Sequence, residues 1–98
     1  MSLGSDQRLF TKKTALLILF AYEQGYELTY GDAARIDGKG HKDGSFHYKR
    51  LAIDLNLFKD GVYLTKTSDH KFLGLFWESL GGTWGGRFRD GNHYSWGE

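Results

Sequence analysis

The stretch that decides the fold is SFHYKRLAIDLNLF, residues 45–58. In its second half, large aliphatic residues occupy every second position, at Leu51, Ile53, Leu55 and Leu57. Because successive side chains of a β-strand point to opposite faces, this alternation predicts a strand with one face in the core. The side chain of Asp54 then points out of the core, towards whatever lies opposite that face.

A histidine upstream of this strand makes the region a candidate metal site. Zinc binds imidazole nitrogen and carboxylate oxygen at about 2.0–2.2 Å. A continuous strand at about 3.3 Å per residue would hold His47 and Asp54 roughly 23 Å apart. The chain therefore has to turn between them, at residues 48–50. A site also needs a third ligand, and the C-terminal segment offers an acid and a histidine, Asp90 and His93, three residues apart.

Together these motifs resemble a family of zinc peptidases. The pattern Ser-x-His-x-x-x-x-Ala-x-Asp-Leu at 45–55, followed by Trp-Gly-Gly at 84–86 and Asp-x-x-His-Tyr at 90–94, is similar to the VanY-like D,D-carboxypeptidases and L-alanyl-D-glutamate endopeptidases. This group shares its core with the Hedgehog signalling domain and includes many phage endolysins, the branch that the chain resembles. The resemblance covers about residues 26–94. It implies an α+β fold, a small antiparallel sheet with flanking helices.

The resemblance also implies a role for each motif residue. His47, Asp54 and His93 would bind Zn2+ and leave its fourth position open for water, as in catalytic zinc sites. Asp90 would act as the general base, and Arg35 would steady the oxyanion or bind a substrate carboxylate. The further substrate-binding residues that it implies are Ser45, Trp84 and Trp96.

Several of these assignments compete with simpler ones. Arg35 is alternatively a solvated loop arginine. Ser45 is expected to order the turn before the histidine rather than to react, because no base is placed to activate it. Trp84 is expected to wall a substrate cleft, to close the core, or to do both at once, and Trp96 would wall the metal site. His41, in the glycine-rich loop, is a competing metal ligand.

Arg50 departs from the family pattern, which usually has glycine at this position. A glycine would ease the turn that the metal site needs. A non-glycine residue at positive φ is disfavoured by about 1–2 kcal/mol. Either Arg50 avoids that conformation or the turn is strained.

The rest of the chain predicts two helices and three further strands. Apolar residues recur at helical spacing over 6–24 and again from Ser68 or Asp69 onward. Residues 1–5 are predicted to be a disordered or tag-derived start, and residues 82–90 a flexible loop. The Asp60-Gly61 pair indicates a hairpin. The remaining strands are predicted at 26–30, 62–65 and 93–96.

Composition limits the class of protein. With 98 residues, the chain is expected to form one domain over 1–98 with a single core. The resemblance implies that this is a zinc peptidase domain. Thirteen Lys and Arg against twelve Asp and Glu give a net charge of +1, without the basic excess that nucleic-acid binding needs. The absence of Cys leaves His and carboxylates to bind any metal.

The resemblance, together with the apolar pattern of the first helix, implies where the protein acts and on what. The apolar run at 15–21 is too short to span a bilayer and lacks a cleavage site, so we expect a packed helix rather than an export signal. The protein would be made in the cytoplasm and act at the bacterial cell wall or periplasm, as in phage lysis. The expected partner is the peptidoglycan stem peptide, with no nucleic acid or membrane partner and a monomeric state.

Two other functions remain open from sequence. One is a non-catalytic, zinc-stabilised Hedgehog-type binding module. The other is an aromatic-rich domain that binds wall polymers or sugars without a metal. The motifs also leave endopeptidase and carboxypeptidase action undecided, because these differ in how the cleft ends.

Overall fold

The computed structural model describes residues 2–31 and 49–97, which form two α-helices packed against one antiparallel sheet. Short 3-10 helices at Thr67–His70 and Gly85–Phe88 connect some of these elements. The predicted α+β class, with a small antiparallel sheet and flanking helices, is confirmed. The elements are α1, Leu3–Glu23; β1, Glu27–Tyr30; β2, Ala52–Lys59; β3, Val62–Leu64; α2, Lys71–Ser79; β4, Thr83–Trp84; and β5, His93–Ser95.

β2 is the centre of the sheet because it pairs with three other strands, all antiparallel. β1 runs along one edge of it, with Leu28 opposite Leu57. Along the other edge, β3 pairs with the second half of β2, where Leu64 lies opposite Leu57. β5 pairs with the first half, where His93 lies opposite Asp54, and β4 lies outside β5. The polar residues in the first half of β2 therefore have β5 as their neighbour.

The core lies between β2 and the two helices. The aliphatic side chains predicted to face it are all buried, namely Leu51, Ile53, Leu55 and Leu57. They pack with Leu17 of α1 and with Leu73 and Trp77 of α2, which are fully shielded from solvent. On the opposite face of β2, Asp54 and Asn56 are only partly buried. The predicted alternation is thus confirmed, except that Ala52, at the start of the opposite face, is also buried.

α1 begins earlier than its apolar periodicity indicated. Ser2 caps the first turn, where its side-chain oxygen accepts a hydrogen bond from the backbone N–H of Ser5 at 3.1 Å. The helix then starts at Leu3. The expected disordered start is wrong for these residues, because a serine cap satisfies an N–H group that the first helical turn leaves open. Across residues 2–31 and 49–97, no helix combines the length and apolar character needed to cross a membrane.

The predicted turns are present at residues with positive φ. Gly25 follows α1 with a φ of +87°, and Asp60 and Gly61 join β2 to β3 with φ values of +51° and +78°. Arg50 adopts a φ of +57° in the turn that leads into β2. Of the two possibilities for Arg50, the structure therefore shows the strained one, in which an arginine takes a conformation that glycine would adopt freely.

The segment predicted to be a flexible loop is instead regular structure. It contains β4 and the 3-10 helix Gly85–Phe88. Trp84 of β4 lies opposite Tyr94 of β5, and its ring packs closely against Gly74 of α2 and Gly86. The glycines in this part of the chain thus admit a buried indole ring rather than provide flexibility.

Candidate functional site

Asp54 and His93 form the centre of the candidate site. They are direct partners in the pairing of β2 with β5, so their side chains lie on the same face of the sheet. His93 Nδ1 lies 3.3 Å from Asp54 Oδ1. The side chains are only 14% and 17% exposed, respectively, and Oδ1 is shielded from solvent. The structure therefore brings together two of the residues predicted to bind zinc.

The turn before β5 determines where His93 lies. The backbone N–H of His93 donates to the carbonyl oxygen of Asp90 at 3.1 Å, which closes the turn. The N–H of Leu55 donates to the carbonyl of Asn92 at 2.9 Å and joins this turn to β2. Gly85 is required beneath the turn, because a Cβ atom there would lie 2.7 Å from the Cβ of His93. Backbone contacts thus hold His93 beside Asp54.

Asp90 lies at the exposed rim of this site. It begins the turn that ends at His93, and its own N–H donates to the carbonyl of Gly85 at 2.9 Å. Its side chain is exposed and lines a polar groove. Asp90 is therefore next to the candidate ligands along the chain and accessible to a substrate, as a general base has to be.

Four sequence predictions fall outside the described residues. These are the ligand His47, its competitor His41, and the substrate-binding residues Arg35 and Ser45. Within residues 2–31 and 49–97, no group of three or more metal-binding side chains is found. Zinc binding by His47, Asp54 and His93 consequently remains a prediction from sequence.

The two tryptophans assigned to the substrate cleft both pack against α2, and their role in substrate binding stays a prediction. Trp84 is only 5% exposed, and its indole Nε1 donates to the carbonyl of Gly91 at 2.8 Å. The simpler prediction, that Trp84 closes the core, is confirmed. Trp96 packs edge-on against Trp77 of α2, with ring centroids 5.8 Å apart. It therefore lies on the helix side of the sheet, because alternation along the strand separates it from His93.

A buried histidine near the site was missed as a structural residue. His70, at the end of the 3-10 helix Thr67–His70, is 3% exposed, and its Nδ1 lies 2.8 Å from the hydroxyl oxygen of Tyr94. Burial lowers the pKa of His70 to about 4, against an opposing effect of Asp69. Burial also raises the pKa of Tyr94 above its usual value. The available signal was Tyr94 itself, since a buried tyrosine hydroxyl needs a partner.

One comparison with known proteins bears on this site. A family model described as D-alanyl-D-alanine carboxypeptidase matches residues 39–96. The matched interval contains the predicted ligands His47, Asp54 and His93 and the predicted base Asp90, while Arg35 lies outside it. A search of curated proteins found no match.

Proposed function

The chain belongs to the D-alanyl-D-alanine carboxypeptidase family, and from this premise we propose that it is a zinc-dependent peptidase that hydrolyses peptidoglycan stem peptides. The observation that carries the proposal is the Asp54–His93 pair. Two potential metal ligands from separate strands meet on one face, largely shielded from water and next to an accessible carboxylate.

The geometry of this pair fits a zinc site. Ligand atoms about 2.0–2.2 Å from a tetrahedral zinc ion are roughly 3.3–3.6 Å from each other. The observed separation of 3.3 Å between His93 Nδ1 and Asp54 Oδ1 falls in that range. Imidazole and carboxylate are also a donor set that zinc accepts. The residues present therefore suit the metal that the sequence predicted.

His47 is the proposed third ligand. It lies within the matched family interval and two residues before Lys49, where the described chain resumes in the turn that precedes β2. When bound to His47, Asp54 and His93, zinc would supply Lewis-acid chemistry, which polarises a carbonyl and makes water more acidic.

The remaining chemistry is assigned to Asp90 and Arg35. The Asp90 carboxylate would take a proton from the attacking water and pass it to the nitrogen of the leaving amine. The guanidinium of Arg35 would stabilise the oxyanion by donating hydrogen bonds. Both the L-Ala–D-Glu bond and the D-Ala–D-Ala bond of a stem peptide are proposed targets, in an endolysin-like role at the bacterial cell wall.

The test is hydrolysis of purified peptidoglycan by the full chain supplied with zinc. Mass spectrometry of the products would identify the bond that is cut. Removing zinc with a chelator should abolish release of products, and adding zinc should restore it. Asp90→Ala should lower the rate by about 10²–10⁴-fold, the usual contribution of a general base, without changing the folded state.

Asp60→Asn is the matched control, because Asp60 lies in the hairpin after β2 and an asparagine tolerates its positive φ. This variant should retain full activity. Undiminished hydrolysis by Asp90→Ala would remove Asp90 as the base. Zinc bound without turnover of any stem peptide would favour the non-catalytic binding module instead.

A further inference from the structure

A polar groove of about 160 Å³ opens beside Asp90. Asn56, which lines it, lies two residues beyond Asp54 on the same face of β2. Asn92, which also lines it, directly precedes His93. The groove therefore shares Asn56 with the face of the sheet that carries the candidate metal ligands, and Asp90 lies at its edge, although neither Asp54 nor His93 lines it. The other lining side chains that can hydrogen-bond include Tyr63, Thr65, Thr67 and Arg89.

Two arginines near this groove have different surroundings. The guanidinium of Arg87 donates to the carboxylate of Glu78, from Nε at 3.0 Å and from Nη2 at 2.8 Å. This bidentate pair also holds the pKa of Glu78 below its usual value. Arg89, two residues later, lines the groove, and no carboxylate in residues 2–31 or 49–97 forms an ion pair with it. Arg89 is thus the arginine that a ligand in the groove would meet.

The backbone of Arg89 is a second, independent observation. Arg89 has a left-handed conformation, with a φ of +62°, at the C-terminal end of the 3-10 helix Gly85–Phe88. Glycine is the residue that such a position favours, because a side chain is strained there. Strained positions of this kind are concentrated at functional sites. The side chain of Arg89 is therefore kept at a cost in backbone energy, as that of Arg50 is.

We propose that Arg89 binds the free α-carboxylate of the substrate residue that provides the leaving amine. The assignment rests on the proposed function, in which Asp90 passes a proton to that amine. The leaving amine and the free carboxylate are attached to the same α-carbon. The adjacent residues Asp90 and Arg89 can therefore contact one group each. The planar guanidinium matches a carboxylate through two parallel hydrogen bonds.

Both bonds named in the proposed function share this feature. At the D-Ala–D-Ala bond, the leaving residue is C-terminal and its α-carboxylate is free. At the L-Ala–D-Glu bond, the stem peptide continues through the side-chain carboxyl of glutamate, which leaves the α-carboxylate free. A single subsite for an amine with an adjacent carboxylate therefore suits either bond.

The test compares two matched peptides with the zinc-supplied full chain. Mass spectrometry of L-Ala-γ-D-Glu-L-Lys-D-Ala-D-Ala after digestion first shows which bond is cut. A second peptide then carries an amide in place of the α-carboxylate of the leaving residue. We expect the amide to lower kcat/KM of the wild type by about tenfold or more, chiefly through KM, because a charge-assisted hydrogen-bonded pair is lost.

Arg89→Gly distinguishes a role in substrate binding from a role in stability. The change removes the guanidinium, and glycine adopts the left-handed conformation without strain. This variant should lose about tenfold in kcat/KM on the carboxylate peptide and should no longer distinguish the two peptides. It should also unfold at the same or a higher denaturant concentration than the wild type, whereas a structural role for Arg89 would lower that concentration. Arg89→Lys, which keeps the charge without the planar fork, should retain part of the discrimination.

Arg87→Gln is the matched control, since it removes an arginine from the same segment that pairs with Glu78. It should distinguish the peptides as the wild type does. Full discrimination by Arg89→Gly would overturn the assignment and point to another cation, such as Arg35. Equal hydrolysis of both peptides by the wild type would overturn it while leaving the peptidase function intact. Hydrolysis of neither peptide, and of no purified peptidoglycan, would overturn both.

Discussion

The hydrogen bond between His70 and Tyr94 joins the segment before α2 to β5, the strand that carries His93. Both rings are buried, so the bond replaces contacts with water that neither ring can make. Because burial lowers the pKa of His70 to about 4, the ring is neutral in the folded protein at neutral pH. A single neutral histidine thus makes the attachment of β5 sensitive to acid.

The stability of the fold should consequently fall as pH is lowered from about 6.5 to about 4. In this window the unfolded chain binds a proton at His70 that the folded chain does not, so the free energy of unfolding decreases by up to about 1.4 kcal/mol per pH unit. Above this window the effect of His70 on stability is constant. Urea unfolding at several pH values would measure how the free energy of unfolding changes with pH. His70→Gln, which does not titrate, should show a shallower dependence, and identical slopes would contradict the prediction.

Arg50 is a second position where a single residue affects the free energy of unfolding. Its φ of +57° is disfavoured for an arginine by about 1–2 kcal/mol, whereas glycine adds flexibility to the unfolded chain worth about 0.5–1 kcal/mol. Arg50→Gly should therefore raise the free energy of unfolding by about 0.5–1 kcal/mol in urea denaturation. Gln24→Gly is the control, because the exposed Gln24 has a φ of −85° and should only lose stability.

At the scale of elements, the contact between α2 and β4 helps to position the turn that carries the candidate site. The ring of Trp84 packs against Gly74 of α2, and its indole nitrogen holds Gly91 in the turn before His93. The position of that turn therefore depends on how closely the helix approaches the strand. Residues that touch no substrate thereby contribute to the placement of His93.

Gly74→Ala should disturb this packing. A Cβ atom at Gly74 would overlap the Trp84 ring, and overpacking of a core typically costs about 1–3 kcal/mol. We expect a loss of stability of that size, measured by urea unfolding, and reduced peptidase activity. Gly4→Ala is the matched control in the other helix, where a Cβ atom would meet only an ordinary contact at 3.5 Å with Arg8. That variant should be stabilised by up to about 1 kcal/mol, and similar effects of the two changes would contradict the packing argument.

At the scale of the whole molecule, a zinc ion would connect separate parts of the chain. Asp54 is on β2 and His93 on β5, while the proposed ligand His47 precedes both strands. An ion bound by the folded state alone adds about 2.7 kcal/mol to the free energy of unfolding at a concentration of 100 times its Kd. The proposed site should therefore affect global stability as well as activity.

Zinc should raise the thermal unfolding midpoint of the wild type, and magnesium, which prefers oxygen ligands, should not. Asp54→Asn and His93→Gln should each remove the zinc effect, because each change weakens one ligand. Differential scanning calorimetry with and without each metal measures this directly. An unchanged midpoint for the wild type in excess zinc would contradict the proposed site independently of any activity assay.

Much of the fold could be predicted because its patterns are local. The alternation in β2, the Asp60-Gly61 hairpin and the need for a turn at Arg50 are all present in the structure. The helical cap at Ser2 and the strand containing Trp84 were missed, because a single capping contact and a two-residue strand have no periodicity to detect. The roles of His47, Ser45 and Arg35 stay predictions.

By itself, the sequence determined the family, the central strand and the residues that could bind zinc. Only the tertiary structure decided that Asp54 and His93 are strand partners, that Trp84 is in the core and that Trp96 is on the helix side. The physical reason is that side-chain alternation depends on neighbouring residues. Strand register, in contrast, depends on packing and hydrogen bonds between segments far apart in the chain.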